Sequence, residues 1–108
     1  MKPKYSIIAP VFNEEESLPV LLQRITEVMD STGEPWELVL IDDGSKDRSA
    51  ELMRKMALED NRVRPIIFAR NFGHQIAVTA GLDFCRGEAA VIIDADLQDP
   101  PEVILEMI

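Results

Sequence analysis

Four short apolar runs, at residues 5–9, 36–41, 63–68 and 89–93, alternate with stretches whose apolar residues recur at helical spacing. Each run is rich in Ile, Val, Leu or Ala and bounded by polar or turn-forming residues, so each predicts a strand. After the first, Leu18, Leu21, Leu22, Ile25, Val28 and Met29 fall at i, i+3, i+4 and i+7, the pattern of an amphipathic helix. Ser17 is placed to cap it, Pro19 is tolerated in its first turn, and Ser31, Thr32 and Gly33 end it. A second helix starts at a cap on Ser45 or Asp47 and runs to about Asp60, with Leu52, Met53, Met56 and Ala57 inward. A third spans residues 74–85, with Ala77, Ala80, Gly81 and Phe84 on one side, and Gly87 stops it. Pro10 breaks the first strand, Pro65 argues that the third strand is at an edge, and Pro100 and Pro101 open a last helix.

Strands alternating with helices predict an α/β fold: a Rossmann-like parallel sheet with right-handed crossovers and helices on both faces. The carboxyl ends of such strands share one edge, and ligands bind there where the strand order reverses. That edge gathers residues 10–14, Asp42 with Asp43, Arg70 with Asn71, and Asp94 with Asp96.

The fourth run, read as a buried strand, leads straight into Asp94, Ala95, Asp96, Leu97, Gln98, Asp99, Pro100 and Pro101. In an extended chain Asp94 and Asp96 face the same way, about 7 Å apart. Two bare carboxylates at that distance repel by roughly 2 kcal/mol at an effective dielectric of about 20. A divalent cation shared with a phosphate ligand converts that repulsion into a binding site. The Asp-x-Asp spacing alone carries little, because nine aspartates in 108 residues produce such a pair by chance about 0.7 times. Placement at a strand end carries the weight, with Asp42 and Asp43 at the end of another.

Composition narrows the classes. The 108 residues read as one partial domain, with 46% hydrophobic and 29% charged residues as in soluble globular proteins. A net charge of −9 opposes nucleic acid and anionic membrane surfaces. It also repels a nucleoside diphosphate unless a cation or a basic cluster intervenes. The single Cys85 excludes an internal disulfide and suits packing. The start, Met1 to Lys4, has no signal-peptide pattern, and no apolar run approaches the ~20 residues of a membrane span, so the expected location is cytoplasmic.

Residues 8–15 (Ile-Ala-Pro-Val-Phe-Asn-Glu-Glu), residues 41–45 (Ile-Asp-Asp-Gly-Ser) and residues 94–102 resemble glycosyltransferase family 2. The last segment, together with Arg70, Asn71, Phe72 and Gly73, is similar to the branch that charges polyprenyl phosphates with hexose, the bactoprenol glucosyltransferases and dolichol-phosphate mannose synthases. The resemblance implies the nucleotide-sugar half of a GT-A type fold, without the acceptor-binding half and membrane helices of family members, which act at the cytoplasmic face of the membrane. It implies inverting transfer of a hexose from a nucleotide diphosphate-sugar such as UDP-glucose to polyprenyl phosphate. Carried over by position, Asp94, Asp96 and Gln98 would hold Mg²⁺ or Mn²⁺ against the donor diphosphate, with Asp96 catalytic. Pro10, Phe12, Glu14, Asp42, Asp43 and Asp94 would bind the nucleotide.

Simpler roles stand beside each assignment. Asp42, Gly44 and Ser45 suit a turn and helix cap, the glutamates 14–16 suit a helix N-terminus, and Phe12 suits core packing. Arg70 suits a phosphate or a neighbouring acid, His74 a surface or capping role, and Gln98 an exposed loop amide. Alternative functions are a non-catalytic nucleotide-binding fragment and a transferase with a saccharide acceptor. A receiver-type phosphoacceptor places its acids after the first and third strands, not the second and fourth, and a dinucleotide-binding enzyme lacks its Gly-x-Gly-x-x-Gly here. Apolar surface left on the fourth-strand side predicts a homo-oligomer.

Overall fold

The computed structural model describes residues 2–98 and 100–108. Its elements are β1 (Tyr5–Val11), α1 (Leu18–Asp30), β2 (Trp36–Asp42), α2 (Ser49–Glu59), β3 (Val63–Ile67), α3 (His74–Phe84) and β4 (Ala89–Ile92), then a 3₁₀ turn (Pro101–Val103) and α4 (Ile104–Met107). The strands pair in parallel in the order β3-β2-β1-β4. This is the expected α/β sheet, and its order reverses between β1 and β4.

Alternation along the two central strands divides the core. Ile7, Ala9 and Val11 of β1 and Leu38 and Leu40 of β2 pack with Leu21, Ile25 and Met29 of α1 and Met53 of α2. Ile8, Val39 and Ile41 form a second cluster with Ala77 of α3. Gly81 lets α3 lie close: a Cβ there would come within 2.5 Å of Ile8 Cγ2 and 2.8 Å of Ile41 Cδ1. Cys85 packs against the same cluster, as expected of a small apolar side chain. No helix among the described residues is long and apolar enough to cross a membrane.

Several expected boundaries move, each for a tertiary reason. Strand β1 continues through Pro10 to Val11. Even-numbered residues of β1 bond toward β4, as the Ile8 carbonyl does in accepting from Ile93 N–H, and β4 has ended by Pro10. The missing proline N–H therefore leaves no ladder bond unmade. Pro65 does lie on an edge strand, paired in register with Leu40. Strand β4 is the other edge; only Val91 within it is buried, and Ile92 is 43% exposed, so it is not the buried strand its composition suggests. Register with β1 puts Ile92 on the α3 side of the sheet, beside Ile8.

The caps differ too. Ser17 precedes α1 without a side-chain capping bond, and Phe84 of α3 is exposed. Gly87 does not end α3, which closes at Cys85; it sits where the backbone passes Ser6, with its N–H donating to Ser6 Oγ at 2.8 Å. A Cβ there would meet Ser6 Oγ at 2.5 Å.

Candidate functional site

A cleft of about 170 Å³ opens at the carboxyl ends of β1, β2 and β4, at the reversal of strand order. Pro10, Val11, Phe12, Glu14, Asp43, His74, Asp94, Ala95 and Asp96 line it. Pro10 and Val11 end β1, His74 begins α3, and the other lining residues come from the loops after β1, β2 and β4, which hydrogen bonds fix.

The loop after β1 is stitched to the loop after β2. Asn13 N–H donates to Ser45 Oγ at 2.8 Å, Glu14 N–H to Ser49 Oγ at 2.9 Å, and Glu15 N–H to Asp47 Oδ2 at 3.2 Å. Lys46 N–H returns a bond to Asn13 Oδ1 at 2.8 Å. Asn13 takes a left-handed φ of 54°, a conformation asparagine tolerates better than most residues. Ser45 thus does not cap α2, whose first turn is served by Asp47, accepting from Ser49 N–H at 2.9 Å. Burial pushes the Asp47 carboxyl upward, but the Ser49 hydroxyl and N–H and the Glu15 N–H outweigh it and hold its pKa low. A charged Asp47 therefore secures the chain that carries Glu14 into the cleft.

The loop after β2 meets the loop after β3. Asp43, 5% exposed, accepts from Phe72 N–H at 2.7 Å and from Gly73 N–H at 3.2 and 3.1 Å on its two oxygens. Asn71 Nδ2 donates to Asp43 Oδ2 at 3.2 Å and to the Asp43 carbonyl at 3.1 Å. Gly44, at φ 73°, lies so close that a Cβ would fall 2.3 Å from Asn71 N. Phe72 is held edge-on against Phe68, and the Arg70 guanidinium lies 4.6 Å over the Phe72 ring. Among the described residues Arg70 makes no ion pair with an acid, and it is not in the lining of the cleft.

The third wall follows β4. Asp94 and Asp96 lie past the strand end, at a turn, so both reach the cleft without the extended alternation expected of a strand. Asp96 Oδ1 accepts from Gln98 N–H at 3.0 Å, and Leu97 between them takes a φ of 65°. That left-handed leucine costs about 1–2 kcal/mol, offset by packing of its side chain on the larger core cluster. His74, the first residue of α3, faces Asp94 across the cleft, with Nε2 3.8 Å from Oδ1.

The structure brings together Pro10, Phe12, Glu14, Asp43, Asp94 and Asp96. Asp42 is buried below the cleft, where Oδ1 accepts from Ser45 N–H at 3.3 Å, and Gln98 is exposed outside the lining. Asp99 lies outside the described residues.

Residues 6–108 match the family model described as glycosyl transferase family 2. The chain belongs to that family. It is 60% identical over 105 residues to an uncharacterized glycosyltransferase, YkcC, of Bacillus subtilis, covering 97% of this chain and 32% of that protein. It is 46% identical over 106 residues to an undecaprenyl-phosphate 4-deoxy-4-formamido-L-arabinose transferase of Salmonella paratyphi B, with the same coverage of each. Among solved structures it is similar to a mannosyltransferase of Pyrobaculum calidifontis in complex with GDP-Man and Mn²⁺, at TM-score 0.75 and 25% identity over 97% of this chain and 31% of that one. The structural neighbours are GT-A type glycosyltransferases, the fold that the family resemblance implies. The chain spans about a third of the length of the curated relatives it matches.

One lining residue of this family 2 chain escapes sequence reasoning. His74 reads as a lone surface histidine, and only the fold sets it opposite Asp94. The one available signal was its position directly after Gly73, at a helix start on the ligand-binding edge.

Proposed function

We propose that this chain binds the donor of an inverting sugar transfer, in which a hexose passes from a nucleoside diphosphate sugar, with UDP-glucose as the first candidate, to polyprenyl phosphate. The observation that carries the proposal is the meeting of Asp94 and Asp96 with Pro10, Phe12 and Glu14 in one cleft at the β1–β4 reversal. The name of the Salmonella relative supports a polyprenyl phosphate acceptor, and the complex of the Pyrobaculum neighbour supports a nucleotide-sugar donor with a divalent ion.

The residues present fit Mg²⁺ or Mn²⁺. Asp94 and Asp96 offer hard carboxylate oxygens, both exposed at the cleft, and Asp96 Oδ2 is not engaged by the turn bond. Among the described residues no group of three or more His, Cys, Asp or Glu side chains surrounds a common point, so part of the coordination shell falls to donor oxygens and water. A bound ion would neutralise charge on the departing diphosphate.

The chain's own residues do the rest of the donor binding. Phe12, 44% exposed at the rim, offers a face for the base, with Pro10 shaping the pocket behind it. Glu14 offers acceptor oxygens to ribose hydroxyls, and Asp43 forms the floor. Imidazole N–H of His74 gives the acidic wall one donor for a phosphate oxygen. An acceptor phosphate has its second pKa near about 6, so it is largely dianionic at neutral pH and needs no side chain to take its proton. Its oxygen forms the new bond to the anomeric carbon while the diphosphate leaves with the electron pair of the old one.

Calorimetric titration with uridine and guanosine diphosphates, with Mn²⁺ and then with a chelator, tests the reading. Binding with Mn²⁺ should exceed binding with chelator by tenfold or more, on the order of 1.4 kcal/mol. Equal binding in both would sink the metal-bridged site, and no binding in either would sink the donor site.

A further inference from the structure

Glu14 enters the cleft with its carboxylate uncommitted. Among the described residues that carboxylate has no hydrogen-bonded or ionic partner, so its placement depends on the main chain that carries it. The main chain is held on both sides. The Glu14 carbonyl accepts from Ser17 N–H at 3.1 Å and from Leu18 N–H at 3.0 Å, where α1 begins. The Glu14 N–H donates to Ser49 Oγ at 2.9 Å.

Ser49 is the fixed end of that contact. It is the first residue of α2, is fully buried, and shares the inward face of the helix with Met53 and Met56, so its hydroxyl is anchored in the core. The hydroxyl proton goes to the Asp47 carboxylate, which leaves Oγ free to accept from Glu14. A hydroxyl that donates to a carboxylate is a stronger acceptor, because hydrogen bonds in a chain polarise one another. The relay therefore runs from Asp47 through Ser49 Oγ to the main chain of a residue that lines the cleft. Capping α2 does not need the hydroxyl, since Asp47 Oδ1 accepts from Ser49 N–H directly. What the hydroxyl adds is a hold on Glu14.

We propose that Ser49 is a positioning residue for the donor site: its hydroxyl sets the main chain of Glu14, and thereby the carboxylate that Glu14 presents to a nucleotide. This rests on the donor-site reading above, which uses Glu14 and gives Ser49 no part.

Two measurements on the 108-residue chain test it. Hydrogen exchange of individual amides reads the contact without ligand, and calorimetry with uridine diphosphate and Mn²⁺ reads its consequence through a double-mutant cycle. Ser49→Ala should speed exchange at the Glu14 amide by tenfold or more, with the amides of β1 and β2 unchanged. It should also weaken the nucleotide by a factor of about three to ten, at a temperature where circular dichroism gives the parent fold. Glu14→Ala keeps the N–H bonded to Ser49 but removes the carboxylate, and should weaken the nucleotide at least as much. Adding Ser49→Ala to Glu14→Ala should cost less than a further factor of about two, because the group being positioned is already gone. A purely structural serine lowers the melting temperature and either leaves affinity alone or adds its full loss in both backgrounds.

A larger further loss in the double variant would overturn the proposal by giving Ser49 a route to the nucleotide that bypasses Glu14. So would an unchanged Glu14 amide or an unchanged affinity in Ser49→Ala, and so would parent affinity in Glu14→Ala, which leaves nothing to position. If Ser49→Ala does not fold, Asp47→Asn decides. It keeps the volume of the side chain and removes the charge at the head of the relay, so it should speed Glu14 exchange and weaken the nucleotide about twofold; no change in either overturns the proposal. Failure of the parent chain to bind uridine diphosphate would defeat the donor-site reading and this proposal with it. A parent that binds, with losses that multiply, defeats only the part given to Ser49.

Discussion

Glu37 lies on β2 at 1% exposure, at the end of the sheet away from the cleft, and its environment is built for a charge. Burial pushes its pKa up, but the Ser6 hydroxyl at 2.6 Å, the Arg86 N–H at 2.6 Å and the Arg64 guanidinium at 2.9 Å outweigh that and hold it below the ordinary 4.5. A folded pKa below the unfolded one gives stability that is complete above about pH 4.5 and lost as the pH falls toward the folded value. Urea unfolding of the parent should therefore weaken on acidification below that point, and Glu37→Gln should flatten this limb. The variant should also lose about 1–3 kcal/mol at pH 7, because both Glu37 oxygens accept from donors and the amide replaces one of them with an NH2 that cannot accept. Parallel acid limbs in the two proteins would assign the pH dependence elsewhere. None of this was legible in the sequence, because Ser6, Arg64 and Arg86 meet Glu37 from positions no local spacing connects. Asp94 and Asp96 were legible for the opposite reason: the strand that delivers them ends beside them in the chain.

Elements read well where period alone decides them and poorly where a neighbour decides. The helical pattern from Leu18 to Met29 becomes α1, and the alternation of β1 and β2 divides the core into its two clusters. The end of β1 was not legible, because tolerance of Pro10 depends on where β4 stops. Nor was the exposure of β4, whose apolar run reads as buried until the sheet order makes it an edge. The seating of α3 turns on Gly81. Gly81→Ala gains up to about 1 kcal/mol of helix propensity. It also drives a methyl to 2.5 Å from Ile8 Cγ2, which belongs to a fully buried side chain and cannot swing away. Overpacking of this kind costs typically about 1–3 kcal/mol, so the net change should be destabilising. A lower urea midpoint at unchanged slope is the expected outcome; a midpoint equal to or above the parent's would mean that α3 can lift off the sheet without loss.

At the scale of the whole molecule, a chain of net charge −9 concentrates acids on the edge where it is proposed to hold a diphosphate. Self-repulsion of that kind destabilises the free fold and strengthens any cation that relieves it. Asp96→Asn separates the two effects. The amide keeps an oxygen to accept from Gln98 N–H, so the turn with Leu97 at φ 65° retains its bond. One charge leaves the acidic edge of the cleft, so the melting temperature without ligand should hold or rise slightly. With Mn²⁺ and uridine diphosphate at about a hundred times the dissociation constant, the parent should gain about 2.7 kcal/mol, a rise on the order of 10 °C for a domain of this size. In the variant most of that rise should disappear. Thermal melts of both proteins, each with and without metal and nucleotide, give all four values. A deep fall in the ligand-free melt of Asp96→Asn would make Asp96 a structural carboxylate whose charge the turn requires, and an undiminished ligand-induced rise would remove it from the metal site.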